Sequence, residues 1–267
     1  MNEAALARFG AEYARHREIE GRNHVGNELL SLPYLASGPL ARQWAVRARS
    51  FEAFVEKVLH PHAARLGRPL RLLDLGAGNG WLSYRVAQQG HRAVALDIRA
   101  DAVDGLGAAT AFVERAHGRI ETIVASFDEI PLPPSTIDIA VFNASLHYAT
   151  DLAKVVREAA RLLRPEGQIV ILDSPFYRSE ADGAAMVAEK KGNAPRCFGS
   201  RAGALLALPF IEYLTPERLR AASVPVGLRW RRHRVLYPLW YELRPIVARA
   251  RGRRVPSRFD LWVGDIR

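Results

Sequence analysis

The sequence has little with which to build anything covalent or metallic. A single cysteine, Cys197, stands among 267 residues. That excludes an internal disulfide and any cysteine-cluster metal site, no other metal site is expected, and the thiol reads as a buried bystander. Long apolar runs are also missing: no segment approaches about 18 uninterrupted apolar residues, so a membrane-spanning helix is not expected. The amino end, MNEAALARFGAEYARHREIE, carries charges throughout, where a secretory leader would have an apolar centre. A cytoplasmic protein is therefore expected. Lysine is scarce, limited to Lys57, Lys154, Lys190 and Lys191, so arginine supplies most of the positive charge. Internal repeats and low-complexity segments are lacking.

What is present suits a globular chain able to bury a substantial core, with 49% hydrophobic residues. The formal net charge of +10 is unevenly placed. Between Arg229 and Arg258 ten arginines face one acid, Glu242, and the rest of the chain is almost neutral. RWRRHR alternates as a strand would, and the helix expected after it adds Arg244, Arg249 and Arg251, with Trp230, Trp240 and Tyr241 interleaved. A solvated face accounts for such a segment. An anionic acceptor, RNA or a lipid headgroup are the competing readings.

The first seventy residues read as helical. Trp44, Val46, Phe51, Phe54, Val55, Val58 and Leu59 recur at helical spacing, with Ser37 or Gly38 placed to cap the helix, Pro39 near its first turn and Pro61 helping to stop it. From Leu70 short apolar strands alternate with helices: strands over 70–75, 92–97, 121–125, 137–142 and 168–173, helices near 80–89, 101–117 and 151–164. Strands such as IDIAVF are apolar on both faces, the mark of a parallel sheet covered on each side. Beyond Pro175 the spacing predicts helices over 179–191, TPERLRAAS and 238–250, and strands over 226–235 and 258–264. The division expected is a helical cap over 1–69 and an α/β domain over 70–267 with a lid insertion at about 176–225.

The stretch LLDLGAGNGWLS, residues 72–83, passes from strand to loop to helix. Gly76, Gly78 and Gly80 allow backbone to approach a ligand, and a helix start offers unpaired N–H groups. A dinucleotide fingerprint needs a third glycine at 81, where Trp81 stands. Asp97 ends the second strand, where α/β cofactor sites set a carboxylate against ribose hydroxyls; capping the next helix is the alternative, which Asp101 serves as well. Asp74 either bonds the loop's own amides or suits a cationic ligand, and it would repel a pyrophosphate.

Together LLDLGAGNG, ALDI, ASFDEIPLPPSTIDIAVFNASLHY and EAARLLRPEGQIVILDSPFY resemble the class I S-adenosylmethionine-dependent methyltransferase family, its small-molecule branch above all, over about residues 70–177. The resemblance implies an α/β fold, a doubly wound, mostly parallel seven-stranded Rossmann-like sheet, preceded here by the N-terminal helical cap and completed by the C-terminal strand pair. It implies S-adenosylmethionine as cofactor. Asp74, Gly76, Ala77 and Gly78 then face its methionine end, Asp97 its ribose, Ile98, Ser126 and Phe127 its adenine, and Asn143 its methionine part. Ser126 replaces the family's commoner aspartate, which shifts the adenine amino contact toward Asp128, and Glu166 replaces a glycine before strand five.

Methyl transfer is an in-line displacement, so the acceptor must sit behind the methyl group with water excluded. His147, just past strand four, is the candidate base; a histidine bonded to backbone is the alternative. Tyr148 is the candidate pocket wall or donor. Tyr177, in DSPFY, and Tyr34, in LPYL, are candidate acceptor contacts, with a core role open for Tyr34. DSPFY matches the D/N-P-P-Y box of amino-methylating enzymes poorly, lacking its second proline and following strand five. Three functions compete: methylation of a small molecule at oxygen or nitrogen, methylation of RNA through the basic C-terminal region, and a catalytically inactive cofactor-binding partner.

Overall fold

A computed structural model describes residues 3–266. Strands β1 (Arg71–Leu75), β2 (Arg92–Asp97), β3 (Ile120–Val124), β4 (Ile137–Asn143), β5 (Leu163–Leu172), β6 (Leu228–His233) and β7 (Leu261–Ile266) form one sheet in the order 3-2-1-4-5-7-6. β1 to β5 run parallel, and β7 is antiparallel to both β5 and β6. The order departs in opposite directions from β1 and β4, which opens a crevice beyond their carboxyl ends.

Twelve helices surround the sheet: α1 (Glu3–Ile19), α2 (Gly26–Ser31), α3 (Ala41–Phe54), α4 (His60–Leu66), α5 (Trp81–Gln88), α6 (Thr110–Arg115), α7 (Leu152–Leu162), α8 (Glu180–Phe198), α9 (Ala202–Leu205), α10 (Pro216–Ser223), α11 (Leu239–Glu242) and α12 (Arg244–Ala250) among the described residues. Successive strand residues point to opposite faces. Leu72, Val141, Val170 and Val263 therefore meet Trp44, Phe51 and Phe54 of α3 and Leu82 and Val86 of α5 on one face. Leu73, Phe142, Ile171 and Trp262 meet Val155, Val156 and Ala159 of α7 and Leu219 of α10 on the other. The helices before β1 thus share the main core with the sheet. Phe9 of α1 joins Leu205 and Leu208 in a smaller cluster above the crevice.

At the amino ends of the strands Asp138, 1% exposed, gathers a knot of donors. It accepts from Arg68 at 2.7 and 3.0 Å, from Arg164 at 3.1 Å and from the Arg71 amide at 2.7 Å. These contacts pull its carboxyl below the ordinary range although burial pushes the other way.

Several expectations are corrected. Pro61 does not end the helix: a π-helical turn, Val55–Leu59, leads into α4, with Pro61 in its first turn where a missing N–H costs least. α3 starts after Leu40 with no side-chain cap, so neither Ser37 nor Gly38 serves. The helix expected over 101–117 shrinks to a 3-10 turn, Leu106–Ala109, and α6, because the Asp101 carboxylate takes the amides of Val103 and Asp104 and holds a turn there. β5 begins five residues early, α8 runs seven residues beyond its expected end, and Cys197 near that end is exposed rather than buried.

Candidate active site

The loop after β1 is fixed by its neighbours before any ligand is considered. The amides of Gly76 and Ala77 both donate to the carbonyl of Leu96, at 2.8 and 2.9 Å. Gly76 has φ +74, and a Cβ there would lie 2.5 Å from the Cβ of Ser145, so no other residue fits. Asp97 completes the cradle, accepting from the Gly78 amide at 2.8 Å and the Arg99 amide at 2.9 Å. Burial raises its carboxyl above the ordinary range against the downward pull of Arg99 and these amides.

A cavity opens over this loop. Eight of the nine positions expected at the cofactor line it: Gly76, Ala77, Gly78, Asp97, Ile98, Ser126, Phe127 and Asn143. Phe127 stands edge-on to Phe142 at 5.9 Å between ring centres. Ser126 donates to Asp128, whose other oxygen accepts from Lys154 at 3.3 Å. The Oδ1 of Asn143 is buried and has no hydrogen-bond partner among the described residues.

The opposite wall comes from helices ahead of the sheet. Phe9, Tyr13 and Arg17 follow one another every four residues on α1 and so share one face, which turns into the cavity. The hydroxyls of Tyr13 and Tyr148 lie 3.0 Å apart, and burial pushes the Tyr148 phenol well above its usual value. Arg17 donates to Asp104 at 2.7 Å, and Arg22 is held by Glu20 and Gln43. Arg47 of α3 also lines the cavity, its guanidinium 5.2 Å from the ring centre of Trp44. It makes no hydrogen bond or ion pair among the described residues.

Residues 73–171 match the model of a methyltransferase domain. Over this stretch the chain is similar to class I S-adenosylmethionine-dependent methyltransferases. Among its relatives is the ubiquinone/menaquinone biosynthesis C-methyltransferase UbiE of Methylobacterium nodulans, 28% identical over 59% of this chain and 56% of that protein. The 27-O-demethylrifamycin SV methyltransferase of Amycolatopsis mediterranei is 34% identical over 42% of this chain and 41% of its own. The chain spans about half the length of these relatives. In fold it is similar to the Burkholderia thailandensis 1,6-didemethyltoxoflavin-N1-methyltransferase, solved with its acceptor and S-adenosylhomocysteine, at a TM-score of 0.52 and 17% identity over 96% of this chain and 90% of that one.

The cavity fits S-adenosylmethionine, the cofactor expected from the sequence. The unpartnered Asn143 oxygen awaits a donor such as an ammonium group, and the engaged Asp97 carboxylate keeps lone pairs for hydroxyls. Trp81 is packed edge-on against Trp44 and Phe51, both at 5.8 Å, so an indole occupies the place a dinucleotide loop would keep open.

Four expected site residues lie outside the cavity wall. Asp74 is enclosed beneath the loop, accepting from Ser83 at 2.9 Å with its Oδ1 unpartnered, and burial pushes its carboxyl up to about 7. Its partner is the first helix of the motif, neither the loop amides nor the cavity. His147 sits on a 3-10 turn that turns its ring away while Tyr148 faces in. Its Nδ1 is buried and unpartnered, and burial, then the charges of Lys190, Arg47 and Arg17, push the imidazole down to about 3. A group so reluctant to hold a proton is a poor base. Tyr34 is 46% exposed, with the Arg85 guanidinium 5.4 Å from its ring centre. Tyr177 is buried elsewhere, edge-on to Tyr213 and accepting from Arg254 at 3.1 Å, because bridges from Phe176 to Leu214 and Arg258 carry the chain away.

Sequence reasoning missed Phe9, Tyr13, Arg17 and Arg47. The four-residue step of the first three was visible, but Ala7, Gly10, Ala11 and Ala14 form a second uncharged face on α1, so the pattern did not single out the inward one.

Proposed function

We propose that this methyltransferase modifies a small acidic molecule at oxygen or nitrogen, held between the glycine loop and the wall made by α1 and α3. The observation that carries this is the pairing, in one cavity, of an unpartnered acceptor at Asn143 with the Arg47 guanidinium, which lies by the Trp44 ring and makes no hydrogen bond or ion pair among the described residues. A buried polar group left unpaired costs about 1–3 kcal/mol, which a bound partner restores.

S-adenosylmethionine supplies, when bound, a methyl group activated by positively charged sulfur. The chain's own part is placement. Asp97 accepts from ribose hydroxyls, Ile98 and Phe127 flank the adenine, and Asn143 accepts from the amino group. Tyr148 keeps its proton at neutral pH and, with Tyr13, presents a hydroxyl pair that orients the acceptor. Every carboxylate in the wall is engaged: Asp97 by two amides, Asp104 by Arg17 and Asn79, Asp128 by Ser126 and Lys154. The acceptor therefore brings its own electron pair, and alignment with exclusion of water does the work.

Arg47 matches a carboxylate on the acceptor. With a panel of phenols and amines bearing or lacking a carboxylate, labelled methyl should pass preferentially to the acidic members. Arg47→Gln should raise KM for them by roughly ten- to a hundredfold, the range of a charged hydrogen bond, and leave kcat little changed. Loss of affinity for S-adenosylhomocysteine instead would assign Arg47 to the cofactor's own carboxylate. The absence of any calorimetric heat with the cofactor or its demethylated product would remove the proposal altogether.

A further inference from the structure

The basic segment divides into two sets of arginines. Arg231 pairs with Asp265, Arg232 with Asp260, Arg254 with Glu189, and Arg258 with Glu242 and Asp260. Arg249, Arg251 and Arg253 make no side-chain hydrogen bond or ion pair among the described residues. They stand at the end of α12, beside an apolar face that points outward.

Leu239, Trp240, Leu243, Ile246 and Val247 recur at steps of three and four, so they share one side of the α11–α12 stretch, which Leu236 precedes. They are 40–75% exposed. Tyr241, on the opposite side and 3% exposed, fixes this orientation: its hydroxyl accepts from the Phe259 amide at 3.1 Å, its ring lies 4.4 Å from that of Tyr237, and the Arg244 guanidinium is 3.5 Å from its centre. Arg42 adds a further cation, 5.8 Å from the ring centre of Trp240. Two acids lie nearby and both are neutralised: Glu242 by Arg258 and Arg234, and Glu189, which shares a groove with Trp240, Val247, Arg251 and Arg253, by Arg254.

We propose that this face docks on an anionic phospholipid surface, its leucines and isoleucine entering the interface and Arg249, Arg251 and Arg253 meeting headgroup phosphates. RNA would call for planar stacking groups, whereas branched aliphatics dominate here. A second copy would set one arginine-rimmed face against another across a two-fold axis, like charge to like. The inference stands apart from the choice of methyl acceptor.

The test is co-sedimentation with vesicles of phosphatidylcholine alone and of phosphatidylcholine with phosphatidylglycerol in equal parts. The protein should bind the mixed vesicles, release with added salt and ignore the neutral ones. The triple variant R249Q/R251Q/R253Q should bind the mixed vesicles about a hundredfold more weakly, at roughly fivefold per arginine. Leu239→Glu with Ile246→Glu should lose binding as well. Both variants should keep the parent's unfolding midpoint and its affinity for S-adenosylhomocysteine, which separates loss of docking from loss of fold. Failure of the parent to bind mixed vesicles overturns the proposal. So does a dimer, in place of vesicle binding, that Leu239→Glu with Ile246→Glu dissolves, or binding to RNA homopolymer that the arginine variant loses and the leucine–isoleucine variant keeps.

Discussion

Replacing Asp97 with asparagine tests the cofactor half of the cavity at its most exacting point. A carboxylate offers about four acceptor positions. The amides of Gly78 and Arg99 take two of them, at 2.8 and 2.9 Å, which leaves two for a pair of ribose hydroxyls. Asparagine keeps the shape, but its nitrogen accepts nothing, so at least one charged hydrogen bond to ligand is lost. At roughly 1.5–3 kcal/mol each, that predicts binding about 10- to 150-fold weaker. In either orientation the amide nitrogen also faces one of the two donating backbone N–H groups, that of Gly78 or that of Arg99, which lowers stability by about 1–3 kcal/mol. Calorimetric titration with S-adenosylhomocysteine, alongside thermal unfolding, separates the two effects. A 2′-deoxy analogue closes the cycle: removing the hydroxyl should weaken binding to the parent far more than to Asp97→Asn. An equal loss in both proteins would show that Asp97 holds the loop and never meets the ribose.

Asp74 carries a pH signature. Its carboxyl is held near 7 in the fold, above the ordinary value it has when unfolded, so the folded state binds its proton more tightly and loses stability as pH rises from about 4 to about 7. At about 1.4 kcal/mol per pH unit the span is roughly 4 kcal/mol. Asp74→Asn should gain on the parent across that window in urea titrations and run parallel above it; a constant difference would contradict the assignment. Gly76→Ala should destabilise by about 2 kcal/mol or more, because a left-handed backbone and a contact with Ser145 must both give way, as a urea midpoint will report. His147→Ala should keep kcat within about threefold, since general-base loss typically costs about a hundredfold or more, and a larger fall in labelled-methyl turnover would restore His147 as the base.

The sheet was legible because β1, β2 and β4 are short apolar runs buried on both faces, a pattern that helices on either side impose. The glycine loop was legible because its conformation leaves no alternative residue. The 101–117 segment misled because its alanine content suits a helix, while the turn built by the Asp101 carboxylate cannot be counted from propensity. His147 and Tyr148 show a finer limit. Adjacent residues on a 3-10 turn point about 120° apart, and the phase of that turn is set by packing of Tyr148 against Tyr13 and Phe210, residues far away in sequence. Arg47 was hidden for a similar reason: many arginines look alike until their partners are known.

The Asp138 knot has a consequence for how such an enzyme can change. It binds the segment before β1 and the starts of β4 and β5 at one end of the sheet, whereas Asn143 stands at the other, five strand steps or about 17 Å away. Electrostatic anchorage and chemistry are thus at opposite poles of the same strands. Residues around the mouth can be exchanged to admit a differently shaped acceptor while the anchor stays untouched, which makes this scaffold suited to retargeting.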